Sequence, residues 1–175
     1  MTGITAIAIL AMFPLCMIFA TFYDLFTMTI PNKICIALVV GFAVLAPLAG
    51  MSLETAAWHI GVAFFVLVVG YVFFSFGFMG GGDAKLLAAS ALWFGTAFTA
   101  PYLLIASIMG GALTIMIIIA RRMPLPPRLA TIGWVARLHD RSEGVPYGAA
   151  LGPAAMLVFT DSNWMEFITS GQLIG

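Results

Sequence analysis

The sequence predicts an all-α membrane protein, a bundle of about six transmembrane helices. Three observations lead there. Of the 175 residues, 63% are hydrophobic and 8% are charged, whereas a soluble domain carries about 25% charged residues. The mean hydropathy is +1.13, and a chain this short could not hide so much apolar surface in water, so lipid is its solvent. The apolar stretches are long and continuous instead of alternating, which selects helices over a barrel. Net charge is zero, which argues against a nucleic-acid partner. Cys16 and Cys35 have no C-x-x-C spacing and read as buried small hydrophobes, in neither a disulfide nor a metal site.

The elements follow in order. Residues 3–23 form an uncharged first helix that contains Pro14. It has no basic start and runs into Phe22-Tyr23-Asp24 instead of a small-residue cleavage site, so it reads as a span and not a signal peptide. Residues 24–33 are a connector in which Ile30-Pro31-Asn32-Lys33 marks a turn and a helix restart. The second helix covers 34–50 and is closed by Pro47 and Gly50. The third covers 55–78. Gly80-Gly81-Gly82 forms a loop before a short fourth helix, Asp83 to Phe98, which Pro101 ends. The fifth helix covers 101–120.

Residues 121–144 are the long polar segment. Met123 to Pro127 is stiff and extended. Arg128 to His139 carries Leu129, Ile132, Val135 and Leu138 on one face and is expected to lie on the inner leaflet, either as an orientation signal and lipid anchor or as a border of the site's entrance. The sixth helix covers 145–160, and 161–175 form a tail. Gly148 and Gly152 stand in G-x-x-x-G spacing, which is read as close helix packing. The whole of 1–175 is expected to be one membrane domain, with no soluble insert.

All seven Lys and Arg fall in the segments 24–33, 79–85 and 121–144, which share one side of a six-helix bundle. Glu54, Asp161 and Glu166 lie on the other. The positive-inside rule places the basic side in the cytoplasm and both termini outside. Asp24 ends the first helix and Asp83 begins the fourth, so both stand at the cytoplasmic face.

Acids at the edge of long apolar runs are functional candidates by default. Two carboxyls sharing a site cannot both ionise easily. The ionised one activates a water, and the protonated one donates to a scissile carbonyl. Asp24 and Asp83 are thus the candidate dyad of an intramembrane aspartyl protease. The glycines before Asp83, with no Cβ and access to positive φ, would let a substrate backbone approach or let the loop open. Lys85 is expected to mark the membrane interface. His59 reads as an interfacial or packing residue and His139 as solvated. No metal or cofactor is implied. The alternative is a small proton- or cation-coupled transporter using the two aspartates; transport sites, however, tend to lie at the midplane. A purely structural scaffold leaves the placement of the acids unexplained.

Three segments carry a family resemblance. Gly80-Gly81-Gly82-Asp83 reads as G-x-G-D and continues Ala84-Lys85-Leu86. Asp24 is followed six residues later by Ile30-Pro31-Asn32, and Val145-Pro146-Tyr147-Gly148-Ala149-Ala150 closes the pattern. Together they resemble the type IV prepilin peptidases. The resemblance implies a bacterial inner-membrane aspartyl endopeptidase that removes the basic leader of a prepilin or pseudopilin after a glycine, at the cytoplasmic face. It implies Asp24 and Asp83 as catalytic, Pro31, Asn32, Gly80 and Gly82 as shaping their loops, and Lys85 as supporting the second. Many members carry an insert with paired C-x-x-C motifs tied to N-methylation. With no such insert here, peptidase activity without methylation is expected, as in the compact enzymes of tight-adherence (Flp-type) pilus systems; archaeal preflagellin peptidases are similarly compact, so the resemblance leaves the substrate open.

Overall fold

The computed structural model describes residues 2–170. These form helices and, among the described residues, no strand: α1 (Thr2–Thr27), α2 (Asn32–Leu48), α3 (Leu53–Ser75), α4 (Gly81–Ala120), α5 (Pro127–Ala130), α6 (Gly133–His139), α7 (Gly148–Phe159) and α8 (Asn163–Ser170). The last five residues of the expected tail, 171–175, lie outside the described residues. Gly3–Thr27, Leu53–Ser75 and Gly81–Ala120 are long and apolar enough to cross a membrane, and α2 and α7 are shorter apolar helices. The outward faces fit that solvent. On α3, Phe64 and Phe65 are 66% and 67% exposed, which hydrocarbon tolerates and water would not.

The core is gathered by α1. Ile9, Phe13, Met17 and Ala20 are fully buried and recur at helical spacing, so one stripe of α1 faces inward. The Phe13 ring stacks on Phe159 at 4.8 Å and meets Trp93 and Phe94 at 5.2 and 5.4 Å. The indoles stay satisfied through backbone acceptors. Trp93 donates to the Leu38 carbonyl at 2.9 Å, and Trp164 donates to the Trp93 carbonyl at 2.6 Å. This aromatic knot closes one end of the bundle and leaves the other for polar groups.

α4 is the element that sequence reasoning placed least well. Its 40 residues would stretch about 60 Å if straight, roughly twice the hydrocarbon thickness. The chain breaks at Gly95, where φ is 60° and ψ −156°, and doubles back. Thr99 Oγ1 donates to the Ala91 carbonyl at 3.4 Å, although a straight helix would part these residues by about 12 Å. The Tyr102 ring folds onto Phe94 at 5.0 Å. The expected boundary, Phe98 to Pro101, is therefore shifted, and Pro101 lies inside the second segment. Proline removes one hydrogen bond and kinks a helix; the reversal needs a left-handed φ, which only glycine takes cheaply.

His59 closes the break, a packing role more specific than the one expected. Its Nδ1 donates to the Leu92 carbonyl at 2.8 Å, its ring stacks on Phe42 at 5.5 Å, and the other edge of the imidazole lies against Gly95. Gly95→Ala would combine a left-handed φ with a Cβ driven into that ring. It is expected to cost about 2 kcal/mol and to lower the midpoint of thermal unfolding in detergent by several degrees. Gly61→Ala, where a Cβ meets nothing within 4 Å, is the neutral control. Equal midpoints for the two variants would overturn this account. Gly152 packs as its spacing suggested: a Cβ there would collide with Thr21 and lie 2.9 Å from the Met17 carbonyl.

Candidate active site

Four chain segments meet at the open end: the last turn of α1, the connector to α2, the first turn of α4 and the first turn of α7. Each brings one group. Asp24 lies in the last turn of α1, where its carbonyl accepts from the Met28 N–H at 2.7 Å. Met28 then takes a φ of 56°, a strained conformation for a non-glycine residue, costing about 1–3 kcal/mol. That turn sends Ile30 back over the site. Pro31, with φ −64°, then stands as the residue before α2.

Asp83 is the third residue of α4, and its Oδ2 accepts from the Gly80 N–H at 3.2 Å. The side chain thus caps its own helix. Asp24 Oδ2 accepts from the Gly148 N–H at 2.8 Å, and the Ala149 N–H also interacts with it. These are the first amides of α7, which have no acceptor within the helix. Asp83 interacts with the same Gly148 N–H and with the charge of Asp24. The two aspartates are 3% and 8% exposed, so the bundle brings two buried carboxyls together around one backbone donor.

The glycines act differently from the expectation. Gly81 and Gly82 do not form a pliable loop but are the first turn of α4, and Gly80 precedes them with φ −72°. The left-handed glycine of the α3–α4 connection is Gly77, with φ 76°. What Gly82 supplies is room. A Cβ there would stand 3.1 Å from Ile30 Cβ, and one on Gly80 would stand 2.7 Å from Asp83 Oδ2. Ile30 reaches on to Gly148, where a Cβ would be 3.0 Å from its Cδ1. The Ile30 side chain is therefore a wedge between the backbones of α4 and α7.

Gly148 and Ile30 are the site residues that sequence reasoning missed. Gly148 was read as packing alone, yet its amide holds Asp24. The available signal was Pro146-Tyr147-Gly148 immediately before a helix, which leaves unpaired amides at the start of α7. Lys85 does not reach Asp83. Its ammonium donates to the Asn32 amide oxygen at 3.0 Å and so links the start of α2 to the second turn of α4.

Two further features surround the pair. An apolar cavity of about 350 Å³ comes near it through Tyr147, the neighbour of Gly148, with Phe78, Met79, Leu87, Leu103 and Gly110 also in its wall. On the other side, α6 leans on the end of α1: Arg137 donates to the Phe26 carbonyl at 2.8 Å, and Trp134 packs edge-on against Phe26 at 5.3 Å. Arg121 fastens the rest of that segment through the Leu138, Glu143 and Gly144 carbonyls. Among the described residues, no group of His, Cys, Asp and Glu could hold a metal ion.

An all-helical bundle with three helices long and apolar enough to cross a membrane, and with two buried carboxyls in terminal turns, fits a multi-pass membrane protein. The chain belongs to the type IV leader peptidase family, whose model matches residues 11–115. It is 33% identical over 135 residues to a prepilin leader peptidase/N-methyltransferase of Aeromonas hydrophila, covering 70% of this chain and 46% of that protein. It is 32% identical over 134 residues to the protein of the same description from Aeromonas salmonicida (strain A449), again covering 70% and 46%. The chain thus spans about half the length of the curated relatives it matches. No solved structure matches it.

Proposed function

We propose that this protein is a prepilin leader peptidase, an aspartyl endopeptidase with Asp24 and Asp83 as its catalytic pair. The observation that carries the reading is their convergence on the Gly148 amide, in a chain of the leader peptidase family. One carboxylate takes a proton from a water; the other, protonated, donates to the scissile carbonyl as the tetrahedral intermediate forms. The roles then reverse as the leaving amine is protonated. Pro31, Asn32, Gly80, Gly82 and Lys85 shape the two turns that present the acids.

The substrate is a prepilin or pseudopilin with a basic leader, a glycine at the junction and an apolar helix after it. The cavity beside Leu87 and Tyr147 suits the apolar residues that follow the cut. The clustering of the seven basic residues supports a cytoplasmic position for this end in the bacterial inner membrane, with both termini outside. Residues 1–175 act as a single peptidase domain. With only Cys16 and Cys35, both half-buried, this domain offers no paired C-x-x-C set for methylation. The transport alternative is weaker, because both acids lie in terminal turns and not at mid-span.

The test is cleavage of a purified prepilin by the detergent-solubilised protein. The expected products are the free leader and a mature pilin with an unmethylated amino terminus. No cleavage of tight-adherence or other type IV prepilins, by protein shown to be folded, would defeat the reading.

α6 serves as a side wall of the entrance. Arg137→Ala is expected to raise KM by about tenfold with kcat nearly unchanged, because one charged hydrogen bond of about 1.5 kcal/mol is lost from the wall. Arg128→Ala, on α5, removes a charge from the same segment without that bond. KM and kcat equal to wild type in Arg137→Ala would remove the idea.

A further inference from the structure

A second apolar groove lies on the far side of α4. Its volume is about 730 Å³, and Cys35 and Val39 of α2, Ala63 and Leu67 of α3, and Ala88 and Leu92 of α4 contribute to its wall. At about 100° per residue, Lys85, Ala88, Ala89 and Leu92 gather on the face of α4 opposite Asp83. Leu87, in the wall of the cavity beside the dyad, shares the Asp83 face. The groove is therefore separate from the candidate catalytic centre, and a peptide lying in it could not present a bond to Asp83.

The groove has one polar end. Asn32 and Lys85 stand there, joined by their 3.0 Å hydrogen bond, and the exposed Lys33 is the next residue of α2. No carboxylate lines the groove, so the Lys85 ammonium meets only a neutral amide oxygen there and its charge is not offset within the groove. From Lys85 to Leu92 the groove runs about 10 Å along α4, roughly two thirds of the hydrocarbon depth of one leaflet.

We propose that this groove is a binding site for an anionic phospholipid. An acyl chain lies between α2, α3 and α4, and the headgroup phosphate rests on Lys85 Nζ, with Lys33 at the rim. A cation at one end of an otherwise apolar channel, in a membrane-spanning chain, matches that ligand in both charge and layout. The lipid bridges α2 and α4 where Asn32 and Lys85 already meet. It thereby fixes the spacing between the connector after Asp24 and the turn that carries Asp83.

Native mass spectrometry and thermal unfolding in mild detergent test this, with phosphatidylglycerol and phosphatidylcholine added separately. Wild type is expected to retain phosphatidylglycerol about fivefold more tightly than phosphatidylcholine. Its unfolding midpoint should rise by about 5 °C at saturation. Ala63→Trp and Val39→Trp each fill the groove and should abolish the rise. Lys85→Gln, at an exposed position, should leave the two lipids binding equally, and it carries the test if neither tryptophan variant folds. A full phosphatidylglycerol shift in a folded tryptophan variant would overturn the site, as would a lipid preference unchanged in Lys85→Gln. The same shift from inorganic phosphate alone, or photocrosslinking of a prepilin into the groove in place of lipid, would also overturn it.

Discussion

Asp83→Asn and Asp24→Asn are each expected to abolish prepilin cleavage, with a loss of at least about 10³-fold in kcat. Asparagine keeps the shape of the side chain and most of its hydrogen bonding, so the Gly80 and Gly148 amides can still be met. What it removes is the ability to take up and release a proton. Each carboxyl has a proton to move in each half of the reaction, so neither variant keeps a working half. Asp24→Asn/Asp83→Asn should then be no worse than either single variant, because residues acting as one unit lose their effect together. The measurement is single-turnover cleavage of a purified prepilin, with unfolding midpoints taken alongside. A variant that stays folded and cleaves within tenfold of wild type would break the two-aspartate mechanism. Losses that multiply in the double variant would show two independent contributions in place of a pair.

Gly148→Ala should be nearly as damaging although it adds a single methyl group. The new Cβ would stand 2.9 Å from both Cβ and Oδ2 of Asp24 and 3.0 Å from Ile30 Cδ1. The Ile30 methyl can rotate away, but Asp24 Cβ is fixed by the backbone of α1 and cannot. α7 must therefore retreat, and the amide that holds Asp24 retreats with it. A displacement of about 1 Å at reacting groups costs on the order of 10²-fold in rate. The overpacking itself costs about 1–3 kcal/mol of stability. The expected signature is a fall in kcat larger than any rise in KM, since only Tyr147 and Leu151 of the candidate substrate cavity move with α7. Gly144→Ala, where a Cβ meets nothing within 4 Å, should behave as wild type. Gly148→Ala turning over within twofold of wild type would show that the Gly148 amide does not position Asp24.

The helical class was legible in the sequence because hydropathy is additive along the chain. Long runs without charge select lipid as solvent, and lipid selects helices. The family was legible too, since its short segments are contiguous. The two acids could be singled out for a related reason: a carboxyl at the edge of an apolar run is conspicuous in one dimension. The reversal of α4 was misplaced because proline and glycine both punctuate a helix, and local pattern cannot tell a tolerated kink from a required left-handed turn. That choice was made by the space beside His59 and by the need to return the chain across the bundle.

The role of the glycines was also out of reach. Gly82 and Gly148 give way to Ile30 from two different helices, and Lys85 finds Asn32 across a gap of 53 residues. By itself the sequence determined the solvent, the helical class, the family and the two carboxyls worth watching. Only the tertiary structure decided that the Gly148 amide, 124 residues from Asp24 in the chain, is the donor around which the carboxyls meet. Periodicity and composition describe neighbours along the chain, whereas that hydrogen bond exists only once α1 and α7 have packed.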